Sequence, residues 1–81
     1  MKIGSTILIE NFKNSIEVTE VNQLFQQFGQ ILEIKLLWKP SMSQTCSAEV
    51  TFKKRESSEK AKKTYNEANL DNLILKISLM N

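Results

Sequence analysis

The sequence predicts an α+β fold in the order βαββαβ, a four-stranded antiparallel sheet with two helices on one face. Three observations carry this. The octapeptide Thr45-Cys46-Ser47-Ala48-Glu49-Val50-Thr51-Phe52 alternates Ala48, Val50 and Phe52 with Cys46 or Ser47, Glu49 and Thr51, the period of a strand with one buried and one wet face. Val21, Leu24, Phe25 and Phe28 recur at the spacing of an amphipathic helical stripe. The loops between such segments are short enough for a compact two-layer domain.

The elements follow in order. Thr6 to Phe12 is β-branched and apolar and is closed by Asn11; it reads as the first strand, with Ile7 and Ile9 on one face and Leu8 and Glu10 on the other. Lys13 to Val18 is read as a loop. Thr19 fits an N-cap, and Glu20 sits where the helix dipole favours an anion, so the first helix is expected over Glu20 to Phe28, with Gly29 ending it. Ile31 to Lys39 sets Ile34, Leu36 and Trp38 against Lys35 and Leu37, a second strand stopped by Pro40. The loop Pro40 to Thr45 makes a hairpin with the octapeptide. A polar helix, roughly Glu56 to Asn66, turns Ser58, Ala61, Tyr65 and the Lys62 stem inward. Asn69 to Asn72 reads as a turn, and Leu73 to Met80 as a last strand with Leu75, Ile77 and Leu79 on one face.

Eighty-one residues with 41% hydrophobic content make one domain, read as residues 1–81 with a core at about 6–80, a unit that also fits within a longer protein. No stretch approaches the roughly 18 to 20 apolar residues of a membrane span. Met1 to Ser5 lacks the pattern of a secretory signal, which suggests an intracellular protein. Eleven Lys and Arg against nine Asp and Glu leave a charge of +2, which neither requires nor excludes a polyanionic partner. The single Cys46 and the lack of histidine remove the internal disulfide, the usual metal-ligand sets and the Cys/His and Ser/His catalytic pairs. No cofactor, metal, catalytic residue, small-molecule substrate or membrane partner is expected.

The element order and two strand motifs resemble the RNA-recognition motif (RRM), a ferredoxin-like βαββαβ domain. Its short motif, aliphatic-aromatic-aliphatic-x-Asn-Leu, is met by Ile7, Ile9 and Asn11, with Phe12 in place of Leu and Leu8 in place of the aromatic. Its long motif falls on Thr45 to Phe52 and keeps Ala48, Val50 and Phe52, departing at Thr45, Cys46, Ser47 and Glu49. Leu24-Phe25-x-x-Phe28-Gly29, Ser47 to Phe52, Lys63-x-Tyr65-Asn66 and Leu70-Asp71 are similar to the Aly/REF group of mRNA-export adaptors.

That resemblance implies where ligands would sit. Aromatics at the second position of the short motif and the third and fifth of the long one stack bases in RNA-reading RRMs. Here they are Leu8, Ser47 and Glu49, and at roughly 1 to 3 kcal/mol per stack their loss removes about 3 to 9 kcal/mol of potential affinity. The candidate RNA- or partner-binding face comprises Leu8, Glu10, Lys35, Leu37, Trp38, Ser47, Glu49 and Lys76. Glu10 and Glu49 offset Lys35 and Lys76, while Leu8, Leu37 and Met80 are apolar, which suits a protein contact or a face that is merely exposed or covered by a terminal tail. Trp38 can stack on a base at the strand edge or pack beneath the hairpin. Cys46 takes the place of a family Gly as a structural substitution rather than a reactive thiol.

Lys53, Lys54, Arg55, Lys60, Lys62 and Lys63 form a basic stretch diluted by Glu56 and Glu59, +4 locally. It reads as a solvated helix face with its charges arranged along the dipole, or as a salt-dependent phosphate patch or dock for an acidic protein.

Three functions compete. The leading one is a non-catalytic export-adaptor RRM, nuclear and shuttling, that contacts single-stranded RNA weakly and binds proteins of the messenger ribonucleoprotein and its export machinery. The second is a sequence-selective single-stranded RNA reader using Trp38, Lys35 and Lys76. The third, a small acyl-phosphate hydrolase on the same layout, lacks the Arg and the glycine loop it would need between Lys13 and Val18.

Overall fold

The computed structural model describes residues 4–37 and 45–80. Its elements are β1 (Ser5–Lys13), α1 (Val18–Phe25) continued by a 3-10 turn (Gln26–Phe28), β2 (Ile31–Leu37), β3 (Thr45–Phe52), α2 (Arg55–Tyr65), β4 (Asn69–Leu70), β5 (Leu73–Ile74) and β6 (Lys76–Leu79). Four strands form an antiparallel sheet in the order β2-β3-β1-β6, and β4 with β5 makes a separate hairpin. The two helices cover one face, burying Val21, Phe25 and Ala61 against Ile7, Ile9, Ala48, Val50 and Phe52. The βαββαβ reading is correct, and the octapeptide spans β3 with the expected bounds.

β1 does not close at Asn11. Ile9 pairs with Ala48 and Phe12 with Cys46, three steps on one strand against two on the other, so Glu10-Asn11 forms a bulge and the strand continues to Lys13. Strict alternation would put Phe12 on the wet side with Leu8 and Glu10. The extra residue returns it to the core, where it is fully buried. Asn11 tolerates the required φ of 85°, and its side-chain amide donates to the Ile74 carbonyl at 2.8 Å.

α1 starts earlier than the Thr19 cap implied. Glu17 is the N-cap, and its backbone N–H donates to the Glu20 carboxylate at 3.2 Å, so the acid three residues on satisfies an amide that Thr19 cannot reach. Thr19 lies inside the first turn. At its other end the helix tightens into the 3-10 turn before Gly29, whose φ is 151°. A side chain there would also collide with the Ser57 hydroxyl.

α2 buries Ser57, Ser58 and Ala61. Lys62 and Tyr65 are half-buried. Tyr65 meets Phe25 and Phe28 edge-on, with ring centroids 5.4 and 5.5 Å apart. Just past the helix, the Asn66 side-chain oxygen accepts from the Ile77 amide at 2.9 Å and fixes the start of β6.

The last segment is not one strand from Leu73 to Met80. Asp71 and Asn72, with φ of 55° and 65°, form a two-residue turn that folds Leu73–Ile74 back on Asn69–Leu70. Leu75, 2% exposed, lies between the hairpin and β6 and exchanges backbone hydrogen bonds with Glu67 and Ala68. Pairing with β1 begins at Lys76.

Candidate nucleic-acid interface

The sheet face away from the helices is set by register. Its central row crosses all four strands: Lys35 pairs with Glu49, Glu49 with Leu8, and Leu8 with Ser78. The neighbouring row joins Glu33, Thr51 and Thr6, with the Thr6 and Thr51 hydroxyls 2.8 Å apart. On the other side Leu37 faces Ser47, and beyond the bulge Glu10 faces Lys76. Leu8, Ser47 and Glu49 therefore do converge on one surface, with Lys35 and Leu37 beside them.

Among the described residues the chemistry of that surface is polar and apolar without being aromatic. Leu37 and Met80 are 37% and 49% exposed. Glu33 and Lys35 form an ion pair at 4.0 Å with both side chains more than half exposed, a contact of little energetic weight. Ser47 points to the solvent side but is 9% exposed, so it forms the floor of a depression of about 250 Å³ that it shares with Glu10, Asn11, Thr45 and Lys76. Trp38 and most of the hairpin loop lie outside the described residues.

Cys46 faces inward, 5% exposed, with its thiol donating to the Lys13 carbonyl at 3.6 Å. Burial pushes its pKa up, the opposite of what a nucleophile or thiolate ligand needs. Among the described residues no group of three or more acidic or cysteine side chains is placed to hold a metal ion.

The basic stretch is spread along α2 and the turn before it. Lys53 and Lys54 line a depression with Gly29, Glu56 and Ser57. Lys62 and Lys63 line another with Glu59, Asn66 and Glu67. Arg55 turns along the helix to pair with Glu59 at 3.2 Å, and Lys60 is exposed. Sequence reading missed Asn11 and Thr45 as parts of the polar depression; the bulge brings Asn11 to it, while Thr45 follows Ser47 and Glu49 along the same face of β3. It also missed Ser57, buried beside Ser58 where periodicity selects one of the two.

Residues 7–76 match the model of the RNA recognition motif family, and the chain belongs to that family. Among solved structures it is similar to the third RRM of Mip6, at 28% identity over 94% of this chain and 92% of that one with a TM-score of 0.85. The third RRM of Pes4 is 26% identical over 94% of this chain and 90% of that one, with a TM-score of 0.84. The RRM of Rna15 with bound GU RNA shares the fold, at 19% identity over 90% of this chain and 79% of that one with a TM-score of 0.77. No curated protein matches the chain.

Proposed function

We propose that this RRM is a non-catalytic module of a nuclear messenger ribonucleoprotein, of the export-adaptor type, which holds single-stranded RNA weakly and largely without sequence preference and binds protein partners through its sheet face. The observation that carries the reading is the pairing of Leu8 with Glu49 at the centre of that face. A base laid there meets an aliphatic side chain and a carboxylate in place of two rings. It loses the stacking that supplies roughly 1 to 3 kcal/mol per base, and the carboxylate repels the phosphates that follow. What the face offers instead is exposed apolar surface at Leu37 and Met80 between balanced charges, the composition of a modest protein contact. Titrating the domain with single-stranded RNA of varied sequence and following amide shifts tests this. Expected is sub-millimolar, salt-sensitive binding with little difference between sequences; sub-micromolar binding of one sequence centred on Leu8, Ser47 and Glu49 contradicts it.

The polar depression of Glu10, Asn11, Thr45, Ser47 and Lys76 favours a second reading. Its donors and acceptors can read the edge of one base by hydrogen bonding, as a sequence-selective domain on a non-standard sheet surface requires. Ser47→Ala and Lys76→Gln separate the two, since under the second reading alone they erase discrimination between bases.

A further inference from the structure

The N-terminus of α2 lies at the opposite end of β3 from the polar depression. It carries features that the sheet-face reading leaves unused. α2 is eleven residues long, and its N-cap residue, Lys54, provides no side-chain cap. The backbone N–H groups of Arg55 and Glu56 have no hydrogen-bond partner among the described residues, as the first turn of an uncapped helix dictates. At this end of the helix Glu56 and Ser57, with Lys53, Lys54 and Gly29, line an open depression of about 410 Å³.

Ser57 is the independent sign of a ligand. The residue is 5% exposed, and its hydroxyl makes no hydrogen bond among the described residues. Every fully enclosed side-chain N or O among them is bonded, so this oxygen must reach the surface, and the depression is where Ser57 meets it. Gly29 lets the hydroxyl sit at this edge of the depression, because a Cβ at that position would run into it. With the free amides of the first turn, and in a depression lined by Lys53 and Lys54, the Ser57 hydroxyl completes a cradle for an oxyanion.

We propose that this cradle binds a phosphodiester of the RNA strand, with the Arg55 and Glu56 amides and the Ser57 hydroxyl as donors and Lys53 and Lys54 as counter-charges. The inference rests on the RNA-contact reading above and extends it to the far end of the sheet. Charge selects a diester over a phosphate monoester. Lys53 and Lys54 against Glu56 leave +1 at the site, which matches a monoanion, and the Glu56 carboxylate in the lining opposes a second negative charge. The depression is also open, as a through-running strand needs. Along β3 it stands about 24 Å from the Thr45 end, at roughly 3.4 Å per residue, so a strand must be several nucleotides long to occupy both ends.

The test is an amide-shift titration of the wild-type chain, K53Q/K54Q and S57A with a single-stranded RNA oligonucleotide long enough to span both ends, and separately with methyl phosphate. RNA is expected to move the Arg55, Glu56 and Ser57 amides together with those of Leu8 and Glu49. K53Q/K54Q abolishes the α2 shifts, keeps the sheet shifts, and lowers the slope of log K against log salt by about 0.7, one phosphate contact on a single strand. S57A weakens the α2 response about five-fold with the fold intact. RNA that moves the sheet amides and leaves α2 unmoved overturns this inference and spares the function proposed above. RNA that moves neither set overturns both. Methyl phosphate that moves the α2 amides where RNA does not overturns the RNA assignment in favour of a phosphorylated partner.

Discussion

Leu8 and Glu49 are cross-strand partners on β1 and β3, half-buried at the middle of the solvent face, where the family's base-stacking rings would stand. The fold has kept the platform and changed what it presents. Its inward residues, Ile7, Ile9, Ala48, Val50 and Phe52, are each completely buried, so the outer positions are free to change without loss of core.

Restoring rings at those positions should restore stacking. Leu8→Phe with Glu49→Phe is expected to raise affinity for single-stranded RNA by about 2 to 6 kcal/mol, from roughly 1 to 3 kcal/mol per base, with part of the gain arising from removal of the Glu49 charge. Fluorescence anisotropy at two salt concentrations measures it. An unchanged affinity in the doubly substituted protein would show that RNA does not cross the sheet centre.

Gly29 and Ser57 should be energetically coupled. Gly29→Ala places a Cβ at a φ of 151° and against the Ser57 side chain, and is expected to cost about 2 to 3 kcal/mol. Ser57→Ala removes the closer of the two obstructing atoms. In a double-mutant cycle followed by urea unfolding, the pair should cost less than the sum of the singles by about 1 kcal/mol.

Ser58, fully buried, donates to the Arg55 carbonyl at 2.7 Å and lies 2.8 Å from the Ser5 hydroxyl, which supplies the proton for that second bond. Ser58→Ala strands a buried hydroxyl on β1 and should cost about 1 to 3 kcal/mol. Ser5→Ala with Ser58→Ala, which removes both partners, should cost less than the two singles added. Urea midpoints at constant m-value decide it.

The Cys46 thiol should be protected and should make stability fall in alkali. Its folded pKa is raised by burial above the ordinary 9.0, so the protonated thiol is favoured in the folded state. Its contribution to stability is fully present below the unfolded pKa and is lost as pH rises through the folded one. Unfolding monitored from pH 8 to 10 in the wild type and Cys46→Ser should show an alkaline loss in the wild type that the variant lacks. Alkylation of the native thiol should be slow and should follow unfolding.

The layering of this protein is written in its residue periodicity. Period-two alternation in Ile7/Ile9 and in Ala48/Val50/Phe52, and the stripe from Val21 to Phe28, specify which faces are buried, because burial must match the repeat of the backbone. They also placed Leu8, Ser47 and Glu49 together on the outer face, which local periodicity and antiparallel pairing suffice to do. Packing between elements sets the places where the chain breaks its own period. The Glu10-Asn11 bulge turns Phe12 inward and brings Asn11 to the depression lined by Thr45 and Ser47. The Asp71-Asn72 turn folds Leu73–Ile74 into a separate hairpin, and Leu75 bonds with Glu67 and Ala68 before the ladder begins at Lys76. The basic run from Lys53 to Lys63 is divided between two ends of one helix. Ser57 and Gly29, 28 positions apart, meet only when α2 packs beside the end of α1. Such contacts depend on distances between elements, and the spacing of residues along one element carries no record of them.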